Sequence, residues 1–176
     1  MAIRKRTKYL TVSAMLCALG VIFLALGAFI EVLDITTAVV ASLLCVYAVI
    51  EMGGGYPWGI WIVTSILSLL LLPIKTPALF YALFAGFYPI VKEKLEKWKR
   101  PLAWLIKLVV FHLSLAALAL LLTVFFPEQL TFDGIEWLPI ATYALCVVTF
   151  FLYDIALTRV ITFYLVRLRA RFRIKS

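Results

Sequence analysis

The sequence predicts an all-α integral membrane protein: a compact bundle of six transmembrane helices, a single domain over 1–176, with both termini in the cytoplasm. Three observations predict it. The 176 residues are 65% hydrophobic and only 15% charged, whereas globular domains average about 45–50% and about 25%. The apolar residues are gathered into six runs divided by polar or Pro/Gly-rich breaks. The bases fall into alternate connections between those runs. A soluble domain of this composition would lack the polar residues to coat its surface. A disordered chain and a disulfide scaffold are excluded on the same ground. Six spans of about 20 residues consume roughly 120, which leaves no room within this chain for a soluble catalytic domain.

Taken in order, the first run covers about 9–30 and follows the basic opening Arg4, Lys5, Arg6 and Lys8. It is too long for the apolar stretch of a signal peptide and lacks a small-residue cleavage site, so it is expected to be a retained span. The second, about 35–51, follows the acidic connection Glu31 to Asp34. Gly53, Gly54, Gly55 and Pro57 then break the helix. The third run, about 58–72, ends at Pro73, and Pro77 opens the fourth, about 77–91. The charged segment Lys92 to Pro101 must lie in water. The fifth run fills about 102–126, and a polar loop runs from Pro127 to Glu136. The last, about 137–166, exceeds what a bilayer core needs and is expected to tilt or project.

Orientation follows from the Lys and Arg residues. Fourteen of the 17 lie in three places: before the first span, between Lys92 and Arg100, and from Arg167 to Lys175. With six spans all three fall on one side, which the positive-inside rule makes cytoplasmic. The opposite connections carry Glu31, Asp34, Glu128, Asp133 and Glu136, with Lys75 the one base. The net charge of +8 therefore records topology and some attraction to anionic lipid. It does not point to nucleic acid.

No catalytic constellation is visible: there is no G-x-S-x-G elbow, H-E-x-x-H pair or P-loop. The chain is accordingly expected not to be an enzyme and to carry no cofactor. Cys17, Cys45 and Cys146 lie inside spans and read as small apolar packing residues rather than a disulfide or metal site. His112, near the middle of the fifth span, reads as a helix–helix hydrogen bond. Glu51, Lys107, Asp154 and Arg159 lie within or at the edge of apolar runs. An isolated charge there costs about 2.5–3.5 kcal/mol, so partners are expected. Helix rise puts Lys107 and Asp154 at similar depth, with Glu51 and Arg159 nearer the cytoplasmic face, which pairs Lys107 with Asp154 and Glu51 with Arg159. This network reads as polar glue between helices, with a proton or ion relay as the alternative.

The first span also carries Ala14-x-x-x-Ala18, continued by Ala25 and Ala28, a stripe that lets another helix approach closely. With the basic N-terminus and the segment Leu10-Thr11-Val12-Ser13-Ala14-Met15-Leu16-Cys17-Ala18-Leu19, it resembles the substrate-binding S components of energy-coupling factor (ECF) transporters. That resemblance covers the whole chain in layout and rests on one short motif. It implies that Ala14 and Ala18 contact the coupling helices of a separate transmembrane T component, driven by a pair of cytoplasmic ATPases. It also implies a small solute, vitamin-like or another micronutrient, bound in the outward half. Candidates there are Glu31, Asp34, Tyr81, Trp137 and Tyr143, since aromatic walls with a few polar groups suit a small amphiphile. No ligand signature for riboflavin, thiamine, biotin, folate or cobalt is present, so no solute is named. Two other readings stay open: a scaffold protein similar to rod-shape-determining membrane proteins, and a small secondary carrier or flippase.

Overall fold

The computed structural model describes residues 2–125 and 138–168. Among these there is no β-strand. Seven α-helices follow one another: α1 (Ala2–Phe29), α2 (Asp34–Glu51), α3 (Tyr56–Leu71), α4 (Thr76–Phe80), α5 (Tyr88–Leu95), α6 (Arg100–Phe125) and α7 (Leu138–Phe163). Four stretches are long and apolar enough to cross a membrane: Arg6–Phe29, Asp34–Glu51, Pro101–Val124 and Pro139–Arg167. The chain is a helical membrane protein. Helix α3 is equally apolar but has 16 residues, about 24 Å of rise. The residues divide into two compact units, one up to Ser114 and one from Leu115 onward, the boundary falling inside α6.

In the first unit α1 and α2 form an antiparallel hairpin. The position of a side chain on Gly27 is already taken by the Thr37 hydroxyl at one end. At the other, the Ser13 hydroxyl lies 3.8 Å from the Met52 sulfur. Helix α3 runs parallel to α1, because Tyr9 stacks edge-on to Tyr56 at 5.4 Å and the Cys17 thiol approaches the Ile60 carbonyl at 3.9 Å. The α4–α5 segment returns antiparallel to α3. The Trp61 indole donates to the Ala82 carbonyl at 3.0 Å, and the Lys94 ammonium lies 5.4 Å from the Trp58 ring centre. The helical segments thus alternate in direction. This gathers the start of α1, the end of α2, the start of α3 and the end of α5 at one end of the unit, and the bases Arg6, Lys8 and Lys94 with them.

Helix α1 begins seven residues before its apolar run, taking in the basic opening. Arg and Lys are good helix formers, and a helix need not stop where the bilayer does. The α2–α3 connection turns on Gly53 and Gly54, whose φ values of 61° and 59° favour glycine. At the other end of α3, the Lys75 ammonium donates to the carbonyls of Leu69 at 2.6 Å and Leu72 at 2.5 Å, closing off groups that lipid cannot satisfy.

The fourth apolar run, expected over 77–91, is not one continuous α-helix. A π-helical turn, Tyr81–Ala85, separates α4 from α5, and the Gly86 amide bonds to the Tyr81 carbonyl five residues back at 2.7 Å. Pro89 supplies the cause, since it has no amide for the Ala85 carbonyl and its ring crowds that oxygen. A widened turn just before it relieves both problems. Gly86 sits where a Cβ would be 2.6 Å from the Trp61 ring and 2.8 Å from the Tyr81 ring.

The buried hydroxyls mostly bond within their own helices, as an apolar surround requires. Thr37 donates to Leu33, Ser42 to Val39, Ser68 to Ser65 and Ser114 to Val110. In the second unit, α7 continues into a π-helical turn, Tyr164–Leu168. Thr149 bonds back to Leu145, and Thr158 to the carbonyl of Asp154.

Candidate functional site

Ala14 and Ala18 are exposed on α1 and line a groove of about 690 Å³ between α1 and α3. Its two walls have the same construction. On α1 they are Arg6, Leu10, Ala14 and Ala18; on α3 they are Gly59, Val63 and Leu67, with Gly55 just before its first turn. Each set is spaced four residues apart, one continuous ridge of a helix. Ser13, Cys17, Tyr56 and Ile60 complete the lining between them. The ridges run parallel because α1 and α3 do. Twelve residues of rise make the groove about 18 Å long.

The middle of the groove is shallow-walled, being edged by two alanines and two glycines. Arg6 marks one end, close to where α1 leaves the apolar region. A ridge of this kind lets a further helix approach backbone to backbone, where van der Waals contact is greatest. The α3 wall is a Gly55-x-x-x-Gly59 pattern that sequence reasoning overlooked. Gly55 itself reads, with Gly53, Gly54 and Pro57, as a helix-breaking signal.

Beneath the groove lies a buried polar cluster at the junction of α1 to α4. The Cys45 sulfur and the Tyr81 hydroxyl are 3.1 Å apart, and Thr64 packs against Gly20, whose Cβ would be 2.9 Å from it. Tyr81, a candidate for the solute site, is 1% exposed. Asp34 begins α2 and is half-buried, at the end of the unit opposite Arg6. Glu31 belongs to the 3-10 turn Glu31–Leu33 just before it. Tyr143 is 47% exposed on α7 in the second unit. Trp137 lies outside the described residues.

The ionisable residues of the apolar runs are distributed between the units. Glu51 closes α2 and Lys107 lies on α6 in the first, where its ammonium is 5.1 Å from the Trp104 ring centre, a cation–π contact. Asp154 and Arg159 belong to α7 in the second. His112 is exposed, and its Nδ1 donates to the Leu108 carbonyl at 2.8 Å. Lys92 was not among the expected buried charges. It is 1% exposed, with Glu96 at 3.3 Å one turn on. Its place beside charged neighbours in the sequence gave it the look of an exposed loop residue.

Comparison with known proteins adds no relative: no family model matches the chain, and no curated protein or solved structure is significantly similar to it.

Proposed function

We propose that this chain is a non-catalytic, membrane-embedded subunit that captures a small solute for uptake by an ECF-type transporter in a prokaryotic plasma membrane. In this reading six segments cross the bilayer, the ends of the chain are cytoplasmic, and Ala14 and Ala18 meet a coupling helix of a larger membrane subunit powered by two ATPases. The observation that carries it is the α1–α3 groove. The Ala14-x-x-x-Ala18 ridge is turned outward from the first unit rather than into its core, and a second small-residue ridge flanks it. The solute would enter from the opposite end, where Glu31 and Asp34 sit at the α1–α2 connection.

The test is native mass spectrometry of the tagged chain purified in mild detergent from its own membranes. The expected species contains this chain, one larger membrane subunit and two ATPase subunits, and it loses this chain when Ala14→Leu and Ala18→Leu are introduced together. Recovery of the same assembly from the double variant would contradict the proposed contact. Recovery with cell-wall machinery instead would favour the scaffold reading.

A further inference from the structure

We infer that Tyr81 closes a hidden site between α2, α3 and α4 for a small uncharged solute, and that the π turn is the hinge that opens it. The inference rests on the solute-capture reading above and specifies the class of solute and the place it binds.

Three observations carry it. The first is a contrast among buried hydroxyls. Thr37, Ser42, Ser68 and Ser114 each bond to a carbonyl three or four residues back. Thr64 and Ser65 are buried as deeply, at 0% and 7% exposure, yet neither oxygen has a hydrogen-bond partner. Beside the Thr64 hydroxyl are the Cys17 thiol and the Tyr81 hydroxyl, but neither stands at hydrogen-bonding geometry. Ser65 lies one turn beyond Trp61 on the same face of α3, the face whose indole reaches the π turn. A buried hydroxyl left without a partner is costly, and a solute that accepts from it removes that cost.

The second observation is the hinge. Tyr81 begins the π turn, five residues in from Thr76, at the end of the unit that holds Asp34 and Lys75. The Gly86 amide bonds to the Tyr81 carbonyl, and the Ala82 carbonyl is left to the Trp61 indole. Moving the amide to Ala82 turns this segment into α-helix. Everything before it then rotates by about 100° and shifts by about 1.5 Å relative to α5. That motion carries the Tyr81 hydroxyl away from the Cys45 sulfur, 3.1 Å from it in the closed form, and uncovers Thr64. The moving helix, α4, has five residues and no side-chain cap at its start. Trp61 latches the closed form and Pro89 disfavours the open one, so the open form is a minor state that a solute selects.

The third is charge. Cys17, Cys45 and Tyr81 share one core with Leu24, Ala41, Ile60 and Ala78, and the hydroxyls of Thr64 and Ser65 add no charge. An ion placed there without a counter-charge would bear its full desolvation cost. A neutral molecule with hydrogen-bond acceptors does not.

The experiment uses the full-length chain in detergent micelles with Cys17→Ala and Cys146→Ala, which leaves Cys45 as the reporter. Mass spectrometry follows its reaction with neutral methyl methanethiosulfonate and with the anionic sulfonatoethyl analogue. Both reactions are expected to be slow in this parent. Trp61→Phe and Pro89→Ala are each expected to speed the neutral reagent about three- to tenfold, the range that one lost hydrogen bond gives, and to leave the anionic one slow. A matching chain that keeps Cys17 alone is expected to show no such change. Unchanged Cys45 rates in both variants, equal acceleration by the anionic reagent, or equal acceleration at Cys17 would overturn the inference. A second measurement needs no reagent. Thr64→Val and Ser65→Ala are expected to leave the unfolding midpoint unchanged or raised, because each removes an unpaired hydroxyl; a fall would show that these groups serve internal packing and would also overturn it. Any of these contrary results, with the larger assembly still recovered from native membranes, removes the site and leaves the transport reading standing. Failure to recover that assembly, with Cys45 opening as expected, removes the transport reading and leaves the site.

Discussion

At Gly27 the side-chain position is already taken by the Thr37 hydroxyl, and at Gly20 a Cβ would lie 2.9 Å from Thr64. These two positions hold α1 close to α2 and α3 in a medium where apolar burial gives helices little reason to associate. Close backbone packing must supply that reason. Gly27→Leu should therefore lower the stability of the purified chain by about 1–3 kcal/mol, the usual range for overpacking. Unfolding in mixed micelles checks this, and a midpoint equal to that of the parent chain would count against it. The sequence made Ala14 and Ala18 legible as a stripe, because spacing alone places them on one face. It did not make Gly20 and Gly27 legible as internal contacts or Gly59 as an open one. Glycine looks the same in sequence whether its missing Cβ faces a neighbour or nothing.

The α4–α5 segment is the element whose internal form was least legible in the sequence. Apolar composition over 77–91 is that of one span, and Pro89 by itself suggests a loosened end. The observed remedy is a π turn whose Ala82 carbonyl receives the Trp61 indole. Trp61→Phe should then cost about 0.5–1.5 kcal/mol, one hydrogen bond's worth. With Pro89→Ala, the turn is free to wind into α-helix, in which the Gly86 amide would bond to the Ala82 carbonyl in place of Tyr81. The penalty for Trp61→Phe should shrink in that background, which a double-mutant cycle measures. An unchanged penalty would show that the indole does not compensate for the proline. Helix α3 offers a second test. Lys75→Met removes donors to two terminal carbonyls and should lower the unfolding midpoint, whereas Lys75→Arg should retain most of it.

For the whole molecule, the contacts of the first unit set Arg6, Lys8 and Lys94 at one end and Asp34 and Lys75 at the other. Charge partition in the sequence had already separated the same groups, because the positive-inside rule acts on composition and needs no packing detail. Packing was not legible. Which ridge of α1 faces inward depends on α2 and α3 together. In a chain with Cys17, Cys45 and Cys146 changed to Ala, Lys97→Cys should react with a membrane-impermeant maleimide only from the cytoplasmic side. Asp34→Cys should react only from outside, and labelling of both from one side would refute the alternation. The account depends most on the α1–α3 groove being a surface kept for a partner rather than a packing defect. The most direct measurement is the thermal midpoint of the isolated chain carrying Ala14→Leu, Ala18→Leu and Gly59→Leu together. The account predicts a midpoint unchanged or raised, since the new side chains enter open space and Gly59→Leu improves helix propensity. A fall comparable to that of Gly27→Leu would show that the groove residues pack within their own chain, and would contradict it.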